Sequence, residues 1–220
     1  MTVLEGEGRV PILYGIQALP TPPYRSVYLS RPDLDGRYAP VIIVHGTDGV
    51  TPSAKSACRR LARYGYPAVA GEIGDYEAAV AALEHDWEDW TSDRLAVVGI
   101  GDGIPHAQAL ARHGAVLILI GGVGAVDLEA LGSPPGPILG LLAGESEAVK
   151  NLHKAAGRGQ WVRYRDVGPG FHDENSEDFQ VASAKDAYER VIGFLDRHLA
   201  EDTSIDRWLQ PAASVRSGEA

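Results

Sequence analysis

The sequence predicts an α/β chain: a mainly parallel sheet covered by helices on both faces, preceded by short antiparallel strands at the N-terminal end. Three observations carry this expectation. Uninterrupted apolar runs such as "APVIIVHG", "RLAVVGIG" and "AVLILIGG" suit strands buried on both faces. Between such runs lie stretches whose apolar residues recur at spacings of three and four, as in amphipathic helices. Strand and helix then alternate, which is the pattern of βαβ units and a parallel sheet.

Each element has its own local reason. "VPILYGI" and "RSVYLS" read as short strands separated by "QALPTPPY", a proline-rich connection that cannot be helix. After the buried strand "APVIIVHG", "TPSAKSACRRLARYG" has helical spacing, with Pro52 near its first turn and Gly65 as its stop. "YPAVAGEI" is a second buried strand and "DYEAAVAALEHDWEDW" an amphipathic helix. "RLAVVGIG", "IPHAQALARHG" and "AVLILIGG" continue as strand, helix and strand. "PILGLLAG", "SEAVKNLHKAAG" and "QWVRYRDV" repeat that order, and "DFQVASAKDAYERVIGFLDRHLA" closes the chain as a long helix. The expectation is one domain over residues 1–200 and a C-terminal tail over 201–220, ending in small polar residues.

Composition narrows the function classes. A chain of 220 residues is one domain's worth, enough to bury about 70% of its unfolded surface. The net charge of −10 and the scatter of basic residues argue against a nucleic-acid partner. Only "CRRLAR" gathers cations, and a solvated helix side accounts for it. A single cysteine, Cys58, rules out an internal disulfide and suits a reducing cytoplasm; its place on a helix suits a small buried residue. No secretory leader pattern opens the sequence, and the longest apolar stretch falls far short of the ~20 residues that cross a bilayer. The expectation is a cytoplasmic protein without a membrane partner, and self-association as a homodimer stays open.

In open α/β sheets, ligands bind beyond the carboxyl ends of the strands. The loops at those ends carry Asp48, Glu72, Asp102, Glu145, Glu147 and Asp173, with His106 and His172 among them. Two such groups converging in an apolar cavity would shift one another's pKa and could move protons; the alternative is that most face water. "HDWED" lies on a helix away from those ends, so no metal is expected. "GIGDGI" lacks the third glycine of a dinucleotide fingerprint, so no cofactor is expected.

"VVGIGDGI", at 97–104, looks like the strand-turn-helix elbow G-x-S-x-G that presents a catalytic nucleophile. Together with "APVIIVHGTDGVTPSAKSACRRLARYGYPAVA", "PILGLLAGESE", "YRDVGPGFHDE" and "AKDAYERVIGFLDRHL", it resembles the dienelactone hydrolase family of the α/β-hydrolase fold, over roughly residues 20 to 200. The resemblance implies that fold and a triad of nucleophile, acid and histidine in that chain order. Carried over position by position, the nucleophile falls on Gly101, the acid on Glu147 and the histidine on Pro169. Glycine has no attacking atom and proline no titratable group, so the triad is degenerate. No serine, threonine or cysteine lies between Asp93 and Leu131 to replace the nucleophile, and His172 stands three residues beyond Pro169.

The elbow's backbone can outlast its side chain, because glycine tolerates the strained dihedrals of its central position. The Asp102 N–H, with that of Thr47 or Asp48, would then form an oxyanion hole for a carbonyl oxygen, enolate or carboxylate. Capping of the following helix is the competing role for Asp102 and Asp48. Three readings follow: a non-hydrolytic acid–base enzyme such as a cyclase or isomerase, a ligand- or partner-binding pseudoenzyme, or a hydrolase whose water is activated by Glu147 or His172. A small organic ligand would be held by Thr47, Asp48, Glu72, Gly101 and Asp102, and in the readings with turnover Asp102, Glu147 and His172 are the candidates for the chemistry.

Overall fold

The computed structural model describes residues 8–18, 26–46, 50–71, 94–111, 116–131, 136–156 and 159–199. Among these residues, eight strands form one sheet: β1 (Ile12–Ala18), β2 (Ser26–Pro32), β3 (Val41–Val44), β4 (Ala68–Ala70), β5 (Ala96–Ile100), β6 (Val116–Gly122), β7 (Ile138–Ala143) and β8 (Gln160–Tyr164). Their spatial order is β1-β2-β4-β3-β5-β6-β7-β8. β1 pairs antiparallel with β2, and β2 antiparallel with β4; every later pairing is parallel. The mainly parallel sheet and its antiparallel N-terminal strands are those expected from the sequence.

Among the described residues, four α-helices accompany the sheet: α1 (Pro52–Arg63), α2 (Ile104–Leu110), α3 (Ser146–Ala156) and α4 (Val181–Leu199). Alternation along each strand sends successive side chains to opposite faces. Ile43, Val98, Ile118 and Leu141 accordingly pack with Leu61 of α1 and Val191 and Leu195 of α4. Ile42, Val44, Val97, Leu119 and Leu142 pack on the other face with Ile104 and Ala107 of α2 and Val149 and Leu152 of α3. The middle strands are buried on both faces, which is why their sequences are unbroken apolar runs.

Local chemistry sets the helix limits. Thr51 caps α1, its hydroxyl accepting a hydrogen bond from the Ala54 N–H at 3.2 Å, and Pro52 occupies the first turn. α4 begins three residues later than the periodicity predicts, at Val181 instead of Asp178. The Asp178 carboxylate accepts from the Gly170 N–H at 3.1 Å, and the Gln180 N–H donates to the Phe171 carbonyl at 3.1 Å, so this stretch is tied to the preceding loop. At the other end of the chain, β1 runs on through Gln17 and Ala18, which the sequence places in the connection, because Ala18 pairs with Ser26. The helix expected over 75–90 and the tail over 201–220 lie outside the described residues, as do Thr47, Asp48 and Glu72.

Candidate functional site

The elbow is built from glycines. β5 ends at Ile100 in extended conformation, Gly101 turns to φ +54°, and residues 101–103 form a tight 3-10 turn that leads into α2. That dihedral lies in the left-handed region, which costs an ordinary residue about 1–2 kcal/mol. The flanking glycines serve close approach. A Cβ on Gly99 would stand 2.7 Å from the Ala107 Cβ, and one on Gly103 would overlap the Val44 carbonyl of the neighbouring strand. Among the described residues, a Cβ built on Gly101 itself meets nothing within 4 Å. The turn is thus the shape that presents a side chain to an open space, with a hydrogen atom in place of the side chain.

Pro169 stands beside it. The turn over residues 169–172 is held by Phe171, which is fully buried, stacks on Tyr164 at 4.5 Å between ring centroids, and donates its N–H to the Gly168 carbonyl at 3.2 Å. With Phe171 anchored, Pro169 projects toward the end of β6, where a Cβ on Gly122 would be 3.2 Å from the Pro169 Cβ. Gly121, the residue before, packs on Gly101. The two positions to which the resemblance assigns nucleophile and histidine therefore flank the same pair of glycines.

The ionisable candidates among the described residues lie elsewhere or face water. Glu147 is in the first turn of α3, 71% exposed, and pairs with Lys150 at 3.4 Å. Asp102, Glu145 and His106 are exposed. Asp102 lies beside the loop leaving β3, since a Cβ on Gly46 would be 4.0 Å from the Asp102 Cβ. His172 is buried, edge-on to Phe171 at 5.5 Å, with its Nδ1 lacking a hydrogen-bond partner among the described residues. Burial pushes its pKa down to about 4; the Asp173 carboxylate opposes this and the Arg60 guanidinium adds to it. At neutral pH His172 is an uncharged imidazole.

Two side chains carry more than the sequence suggested. Arg60 belongs to the "CRRLAR" string expected to face solvent, but it is 3% exposed. It forms an ion pair with Glu174 and lies 4.3 Å over the Tyr188 ring, so the loop after β8 and α4 close over it. His45, at the carboxyl end of β3, has both ring nitrogens buried without a partner among the described residues, and burial lowers its pKa. Its position directly after an apolar strand was the available signal. Cys58 is fully buried and its thiol is pushed up by burial, which leaves it unreactive. A cavity of about 250 Å³ lies between α1 and α4, lined by Arg60, Tyr64, Tyr188 and Ile192 among others and away from the elbow.

No family model matches the chain. A protein of Methylorubrum extorquens, provisionally named carboxymethylenebutenolidase, is 28% identical over 152 residues, which is 67% of this chain and 47% of that protein. The chain thus spans about half the length of that curated relative. Among solved structures, a provisionally named dienelactone hydrolase from Klebsiella pneumoniae superposes with a TM-score of 0.72 at 19% identity, covering 86% of this chain and all of that one. A dienelactone hydrolase-like promiscuous phosphotriesterase from metagenomic libraries gives 0.65 at 15% identity, over 84% of this chain and 98% of its own. An esterase from Pyrococcus furiosus gives 0.61 at 15% identity, over 84% and 91%. The fold is the α/β-hydrolase fold, and the resemblance to dienelactone hydrolases holds in sequence and in architecture. Among the described residues, no helix is long and apolar enough to cross a membrane.

Proposed function

We propose that this chain, a dienelactone-hydrolase-like protein of the α/β-hydrolase fold, binds a small organic molecule over the carboxyl edge of its sheet without forming a covalent intermediate. One observation carries the reading. The elbow has a left-handed turn with, among the described residues, open space above it, while Gly101 and Pro169 supply neither attacking atom nor base. A left-handed turn kept without its nucleophile suits recognition of a carbonyl or carboxylate oxygen by backbone N–H groups. The exposure of Asp102, Glu145 and Glu147 to water favours a binding role over acid–base turnover.

A second reading, proton transfer without a covalent step, draws support from His172. Its imidazole is neutral at neutral pH, the form that accepts a proton, and burial makes it a weak base there. Cyclisation and isomerisation are reactions of that kind.

Titration calorimetry with a small unsaturated lactone and with its ring-opened hydroxycarboxylate, paired with chromatography of the mixtures, separates these readings. Saturable binding of either compound with no conversion supports the binding role. Conversion that survives in the native chain but is lost on His172→Ala, with no adduct on the protein, supports the second reading. Ester hydrolysis with a stoichiometric burst would overturn both.

A further inference from the structure

The cavity of about 250 Å³ between α1 and α4 lies on the face of the sheet that carries those two helices, away from the elbow. Its construction starts with Arg60, a buried wall residue whose guanidinium stacks over the Tyr188 ring. Among the described residues, its one ion pair runs through Nη2 to Glu174, and its Nε has no partner. A guanidinium carries five N–H donors, so Arg60 has enough for Glu174 and for a second carboxylate.

The other walls have local causes too. The N–H groups of Arg9 and Val10 donate to the Arg63 carbonyl at 2.7 and 3.0 Å. This ties the N-terminal segment to the end of α1 and brings the Arg9 guanidinium 5.4 Å over the Tyr64 ring. Asp196 is already spent, accepting from Arg9 at 2.9 Å and from the Tyr66 hydroxyl at 2.7 Å. Tyr64, Tyr188 and Ile192 supply apolar surface. Gly193 lies beside them within α4, where glycine destabilises a helix relative to alanine. No close neighbour requires it: among the described residues, a Cβ there would meet nothing within 4 Å. Its missing side chain leaves the cavity open.

We propose that this cavity binds a small organic carboxylate with a flat apolar body, its carboxylate on Arg60 and its body against Tyr64, Tyr188 and Ile192. The lining selects an anion. The chain has 30 acidic residues against 20 basic ones, yet three cations, Arg9, Arg60 and Lys185, line the cavity with two carboxylates. One of these is Asp196, which Arg9 neutralises, and the other, Glu189, is exposed to water. A planar guanidinium matches a carboxylate in shape and forms a charge-assisted hydrogen bond with it. Volume sets the size: a cavity of about 150 Å³ holds benzene, so this one has room for a ring and its carboxylate. The site is separate from the elbow and does not depend on what the elbow binds.

Benzoate is the probe, titrated to millimolar concentration into the full chain and followed by backbone amide chemical shifts. Saturable shifts are expected in α1 around Arg60 and in α4 around Gly193, with Gly101 to Gly103 unmoved. Arg60→Met and Gly193→Leu should each raise the Kd by about tenfold or more. Gly193→Leu fills the space at an exposed helix position and disturbs no buried charge, so it reads the site even where Arg60→Met impairs folding. Benzamide, which lacks the charge, and acetate, which lacks the ring, should each bind more weakly than benzoate by about tenfold or more. No saturable binding, shifts confined to the elbow, binding indifferent to Gly193→Leu, or either analogue matching benzoate would each overturn the proposal.

Discussion

The backbones of Gly121 and Gly101 touch: a Cβ on Gly121 would stand 3.1 Å from the Gly101 nitrogen and 3.2 Å from its Cα. The end of β6 therefore braces the elbow from one side while β3 braces it from the other, at Gly103. The turn is shaped by packing between adjacent strands, so its geometry does not depend on a side chain at position 101.

Gly103→Ala and Gly101→Ala should separate packing from strain. The first drives a methyl group into the Val44 carbonyl and should cost ~3 kcal/mol or more, or prevent folding. The second has room for its methyl group and bears mainly the left-handed dihedral, about 1–2 kcal/mol. Chemical denaturation of both variants against the native chain measures the difference.

His172 makes stability depend on pH in a defined direction. Its folded pKa, about 4, lies below the ordinary histidine value of 6.5, so between those values the unfolded chain binds more protons. Stability should therefore be full above pH 6.5, fall as pH drops toward 4 and level off beneath, with a total loss of about 3 kcal/mol from this residue. His45 and His198 shift in the same direction, so the test is a comparison. Denaturation curves of the native chain and of His172→Phe should diverge in slope across that window.

The buried guanidinium of Arg60 predicts an order among variants. Glu174→Ala leaves a cation 3% exposed against Tyr188 without its carboxylate and should cost about 3 kcal/mol. Arg60→Met keeps much of the packing and removes the buried charge, so it should cost less. Midpoints of urea unfolding decide the order.

Much of this was legible from local pattern. Gly99, Gly101 and Gly103 alternate directly after an apolar run, so the glycine-built turn could be read from the string itself. Pro169 was legible for the same reason, two residues before the Phe171 anchor. The role of Arg60 was not, because its partner Glu174 is 114 residues away and only the closing of the loop onto α1 joins them. The start of α4 was misread because Asp178 has a suitable helical spacing but spends its carboxylate on Gly170. Glu147 follows the end of β7 in the first turn of α3, a position that offers both an exposed and an inward orientation, and it takes the exposed one beside Lys150.

The proposal that this chain forms no covalent intermediate is tested most directly by intact-mass measurement after exposure to a fluorophosphonate, which labels an activated hydroxyl nucleophile one-to-one. The native chain should keep its mass. The Gly101→Ser, Pro169→His double variant should gain a slow, partial adduct at the new serine, because the turn and the space above it are already in place. A stoichiometric adduct on the native chain would contradict the account.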